Sequence, residues 1–156
     1  MGRMYTVHLA PAAATVALDL VELTPADDKP IIIHGFRLFQ TTDLGDAAEE
    51  IIGVAWVRGN ATTGSGGNAG AAVSPKNPAD AAAGCTAETG NTTQASAGTA
   101  VTVYSTGWNV RAPMEVVFTP EQRIICTQAQ TLLCCRLLAA PADSLTIGFS
   151  VDFEEI

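Results

Sequence analysis

The chain has 156 residues, enough for one domain with a real core, and its sixteen acidic against eight basic side chains give a formal net charge of −8. Arg3, Lys29, Arg37, Arg58, Lys76, Arg111, Arg123 and Arg136 are spread singly along the chain. With no cationic cluster to displace condensed counterions, the composition argues against nucleic acid as a partner. Charged residues make up only 15 % and apolar residues 47 %; charge depletion of this kind marks interface cores and leads us to expect an assembly subunit rather than a monomer.

No run of 18 apolar residues occurs, so no membrane-spanning helix is expected. The N-terminal residues lack a cationic stretch followed by an apolar one, which argues against a secretory signal. Met1-Gly2 with Thr6 fits a myristoylation pattern, but a pattern this short is met by chance and is set aside.

In chain order, residues 5–9, with Tyr5, Val7 and Leu9 alternating with polar neighbours, read as an edge strand or as part of an N-terminal arm over 1–14. Strands are expected over 15–23 and 30–40, separated by the Thr24-Pro25-Ala26-Asp27-Asp28-Lys29-Pro30 turn. Residues 43–50 offer the single candidate helical turn, capped by Asp46. Another strand covers 50–58.

The segment 60–98 differs from everything around it. Seven glycines and two prolines lie among Ala, Thr, Ser and Asn, a composition unable to bury enough apolar surface to offset an ordering entropy of roughly 1–2 kcal/mol per residue. It reads as a long irregular loop that something else must hold, and neighbouring subunits are favoured over its own domain. Strands follow over 99–105, 114–119, 124–126 and 131–139, with Trp108, Asn109 and Arg111 in a connecting segment suited to an ordered contact. The clearest strand is the last, where Leu145, Ile147, Phe149, Val151 and Phe153 alternate with Thr146, Gly148, Ser150, Asp152 and Glu154. About eight strands with turn chemistry between them point to a single all-β domain over 1–156, a jelly-roll-like antiparallel sandwich.

Candidates for chemistry are few. Cys85, Cys126, Cys134 and Cys135 form no Cys-x-x-Cys pair, and adjacent residues on a strand face opposite ways, so Cys134 and Cys135 read as packing residues rather than metal ligands. His34 reads as a hydrogen-bonded strand histidine with a distant acid as its possible partner. The acidic group Asp43, Asp46, Glu49 and Glu50 does not match a calcium loop and reads as a solvated face. Pro75, Lys76, Asn77 and Pro78 satisfy Pro-x-x-Pro, a pattern that usually only stiffens a loop. No catalytic, cofactor or metal site is expected.

Five segments taken together carry a resemblance. Ile33-His34-Gly35-Phe36-Arg37-Leu38 is followed by Thr42-Asp43-Leu44-Gly45-Asp46-Ala47-Ala48-Glu49-Glu50, by Arg58-Gly59-Asn60-Ala61-Thr62-Thr63-Gly64-Ser65-Gly66-Gly67, by Trp108-Asn109-Val110-Arg111-Ala112 and by Ala139-Ala140-Pro141-Ala142-Asp143. In that order they resemble a group of phage and prophage proteins encoded among virion genes. The resemblance implies a jelly-roll-like capsid decoration or cement subunit on the outer surface of a tailed-phage head. Such a subunit is commonly a homotrimer, binds the major capsid protein and has no enzymatic activity. A tail or baseplate module that recognises a receptor or glycan is the alternative. Tyr5, Val7, Leu9, Pro75, Lys76, Asn77, Pro78, Trp108, Asn109 and Arg111 are the expected partner contacts, with no nucleic acid and no membrane involved.

Overall fold

The computed structural model describes residues 2–42 and 49–156. The expected helical turn and the acidic residues Asp43 and Asp46 lie outside the described residues. Glu49 and Glu50 carry no helix.

The final strand organises the first sheet. β12 (Leu145–Glu155) turns Leu145, Ile147, Phe149, Val151 and Phe153 inward, each at most 1 % exposed, as their period of two requires. It lies between β1 (Arg3–Ala14) and β3 (Ile31–Gln40), antiparallel to both. The far side of β3 is covered in two pieces, β9 (Met114–Val117) and β10 (Ile124–Cys126), separated by a 3-10 turn at Pro120–Gln122. The first sheet therefore runs β10/β9–β3–β12–β1, extended past β1 by the two-residue β6 (Ser74–Pro75).

The second sheet holds β2 (Asp19–Thr24), β11 (Leu132–Leu137), β4 (Ile51–Asn60) and β8 (Val101–Asn109) in that spatial order, extended past β2 by β7 (Thr86–Asn91) and β5 (Asn68–Ala71). Every pair in both sheets is antiparallel. Outside the insertion the chain changes sheet with each strand from β1 to β4, and again through β8, β9/β10, β11 and β12. That threading is a jelly roll: two four-stranded sheets, built as two interleaved Greek keys. Aromatic rings knit the sheets together. Phe36 on β3 meets Trp56 on β4 at 5.8 Å, Phe149 at 5.9 Å, and Tyr104 and Phe118 at 6.1 Å, spacings that add about 0.5–1.5 kcal/mol per pair beyond burial.

Two expectations about order are corrected. Residues 3–14 are not a free arm: β1 pairs with β12 from Arg3 to Ala14, broken by one register shift between Leu9 and Ala12. The alternation of Tyr5 and Val7 with Met4, Thr6 and His8 already fits a strand buried on one side. The segment 60–98 is not an irregular loop either, and it finds partners in its own domain. It forms an insertion in the β4–β8 hairpin whose two stems pair at Thr62–Ser96 and Ser65–Thr93 and whose middle adds β5, β6 and β7 to the far edges of both sheets.

Candidate functional site

Side chains with chemical potential are mostly committed to internal structure. All four cysteines are free and buried. Burial pushes the thiols of Cys85 and Cys134 up to about 12 and that of Cys126 up to about 11, so none offers the thiolate that nucleophilic chemistry needs. Cys134 and Cys135 face opposite ways as their adjacency requires. Cys135 joins the main core, and Cys134 packs with Ala55, Val57, Ala95 and Leu132 beneath the insertion. His34 does find a distant acid, Glu154, at 3.0 Å on the outer face of the first sheet. The backbone N–H of Gly2 binds the other oxygen of Glu154, and this bond, more than His34, holds its carboxyl below the usual range. Among the described residues no three or more His, Cys, Asp or Glu side chains are grouped to hold a metal ion.

The insertion is tied to the body by carboxylates. Glu22 on β2 accepts the Gly64 N–H with both oxygens at 3.0 Å, and Asp19, also on β2, accepts the Ala95 N–H at 2.7 Å. Farther along, Glu155 on β12 accepts the N–H groups of Gly84 and Cys85, each at 2.8 Å. Gly64 must be glycine, because a Cβ there would overlap the Thr93 carbonyl and the Glu22 carboxylate. Arg136 on β11 grips Asp19 with two bonds, at 2.9 and 3.1 Å, and donates to the Ala95 carbonyl at 3.2 Å. Sequence reasoning missed this cluster. Only half of its signal was local: Asp19, Glu22 and Arg136 interrupt otherwise apolar strands, and a charge in a buried strand demands a partner, but nothing nearby in the sequence says which.

The expected contact residues divide. Tyr5 and Val7 are fully buried, so these two are withdrawn as partner contacts, while Leu9 is partly buried against the core; the Tyr5 hydroxyl binds the Ala81 carbonyl inside the chain. Trp108 is withdrawn for the same reason. It sits on β8 rather than in a connection, 1 % exposed, with its indole N–H on the Ala112 carbonyl at 2.8 Å. Pro75 belongs to β6 and pairs with Tyr5. Lys76 reaches Asp152 at 2.8 Å. Burial opposes ionisation of Asp152, but hydrogen bonds from Lys76, Thr6 and Arg37 outweigh it and hold the carboxyl low. Asn77 turns the chain by accepting the Ala79 N–H, and Asn109 does the same for Arg111. Arg111 pairs with Glu49 at 3.3 Å. Lys76, Asn77, Pro78, Asn109 and Arg111 are exposed and stand in two stretches of the chain, 76–78 and 109–111.

Among the described residues, a long open sheet edge lies at β8. This nine-residue strand ends the second sheet, bonded to β4 on one side only, and carries no charged residue. Natural sheets blunt such edges with Lys, Pro or bulges; among the described residues β8 carries one such device, a register shift that leaves Val103 unpaired between Thr102 and Tyr104. Ile51, 74 % exposed, and the half-exposed Leu138 flank it on the outer face, where Leu138 lies over Gly53 and Ile51 over Gly107. A shallow groove of about 400 Å³ lies elsewhere, between the irregular part of β1 and Gly66, Gly67 and Gly90 of the insertion. No family model, no curated protein and no solved structure matches the chain.

Proposed function

We propose that the chain is a structural subunit of a virion, decorating or cementing the head of a tailed phage by binding its major capsid protein and further copies of itself as a homo-oligomer, in the first instance a trimer. The observation that carries this reading is the long, uncharged, one-sided edge at β8 beside the exposed Ile51 and Leu138. Backbone groups on such an edge bind by strand addition, and a partner strand completes the sheet without desolvating any charge. The jelly-roll body supports the reading as a rigid scaffold, and the ordered motifs that resemble phage virion proteins supply the particle. The net charge of −8 suits the outside of a shell rather than its DNA-facing inside.

Protein mass spectrometry of purified particles, with antibody-gold labelling in the electron microscope, tests the proposal. The expected result is the chain on the head shell, in amounts proportional to the capsid protein. Absence from particles overturns the reading. Labelling confined to the tail, with selective binding on a glycan array, replaces it with a receptor-binding module.

A further inference from the structure

The two stems of the insertion cross the outer face of the second sheet as a ribbon, each anchored on one β2 carboxyl, Gly64 on Glu22 and Ala95 on Asp19. Neither carboxyl reaches water: Asp19 is 0 % and Glu22 2 % exposed. The charged and titratable groups facing them are few. The Glu22 carboxyl lies near enough to Asp19 to raise its affinity for a proton. From β11 come the Arg136 guanidinium, seated on Asp19, and the Cys134 thiol, which Arg136 contacts at 3.0 Å. From β7 comes Glu88, joined to Glu22 through the Asn91 amide at 2.9 and 2.8 Å. From β4 comes only the amide of Asn60, and from the ribbon only backbone groups. One guanidinium therefore faces two buried carboxyls with a third close by, and the buried pair is left with an uncancelled charge unless it holds a proton.

We propose that the Asp19–Glu22 pair is a proton-operated latch: while Asp19 holds a proton the insertion is closed over the second sheet, and loss of that proton loosens the ribbon and bares Ala55, Val57, Leu132 and Cys134. Burial pushes the Asp19 carboxyl up to about 7, and the nearby Glu22 carboxyl adds to the rise. The Ala95 N–H and Arg136 pull it back only in part. Once the ribbon lifts and water enters, Asp19 returns toward its ordinary 3.8 and gives up the proton. The latch is thus strongest below that ordinary value and weakens as pH rises through about 7; over that interval opening is favoured by up to about tenfold per pH unit, and above it the effect levels off. The uncovered residues would extend the apolar strip already exposed at Ile51 and Leu138.

Two measurements on the full chain test the latch. The first is the carboxyl carbon titration of Asp19 by NMR, expected to show a midpoint near neutrality in the wild type. The second is amide exchange at Gly64 and Ala95, corrected for intrinsic base catalysis, between about pH 5 and pH 8. Ribbon amides should open more with each pH unit up to about 7 and level off above it, while Val151 and Phe153 on β12 do not follow. Asp19→Asn should flatten that dependence. Glu22→Gln, which keeps an acceptor for the Gly64 N–H, should lower the Asp19 midpoint. An Asp19 carboxyl titrating in the ordinary carboxylate range overturns the proposal, as does identical pH dependence at the ribbon and at β12. The titration reads the wild-type chain, so a variant that fails to fold does not remove the test.

Discussion

The jelly-roll body and its insertion are ordered by different physics. In the body, alternating apolar side chains meet across two sheets, and Phe36, Trp56 and Phe149 lie within 6.4 Å of one another in ring contact. In the insertion almost nothing apolar is buried beyond Ala71, Cys85, Ala87 and Ala95. Its backbone N–H groups instead end on carboxylates that the body presents, Glu22, Asp19 and Glu155. Such a bond is worth about 0.5–1.5 kcal/mol to a neutral carboxyl, as at protonated Asp19, and about 1.5–3 kcal/mol to a charged one shielded from water. A composition poor in hydrophobes can therefore be ordered when its acceptors are supplied from outside the segment.

That contrast predicts graded effects. Removing the body's packing should be costliest: Phe149→Ala leaves a cavity among the aromatic rings and should destabilise the whole domain by about 3–5 kcal/mol in urea unfolding. Arg136→Met strips the counterion from Asp19 and should cost about 3 kcal/mol at alkaline pH. The loss should shrink at acidic pH, where Asp19 is protonated; an equal loss at both would contradict the raised Asp19 pKa. For the wild type, stability measured against pH should decline from mildly acid conditions toward about 7 by up to about 1.4 kcal/mol per unit from this group alone. Glu155→Gln keeps the shape of the acceptor but removes its charge, with an expected loss of about 1 kcal/mol and faster proteolysis confined to residues 81–86. Arg37→Ala removes two exposed ion pairs, to Glu115 at 2.7 Å and Asp152 at 3.4 Å, and should fall within about 0.5 kcal/mol of wild type.

Much of the body was legible in the sequence because period-two patterning is a local signal. Leu145 to Phe153 announce β12, and Ile124-Ile125-Cys126 announce β10. Even the opposite facing of Cys134 and Cys135 follows from adjacency. β8 was read too short, ending at Ser105, because Gly107 and Asn109 look like turn residues while Trp108 between them faces the core. The latch was not legible. Asp19 and Arg136 are 117 positions apart, and Glu22 and Gly64 are 42 apart; no pattern within a window joins them. The expected surface residues suffered from the same blindness. Tyr5 and Val7 seemed free because their strand partner, β12, lies at the other end of the chain.

The position of β12 has a consequence for synthesis. It follows every other strand in chain order, yet it is the middle of the first sheet, with β1 on one side and β3 on the other. During translation both neighbours must wait with open edges and exposed apolar faces until residues 145–155 leave the ribosome. A chain cut short before Leu145 keeps β3 paired with β9 and β10 but leaves β1 with only the two-residue β6 in its own sheet. Joining β1 to the β3 side of the first sheet is thus left to a strand made after both of them.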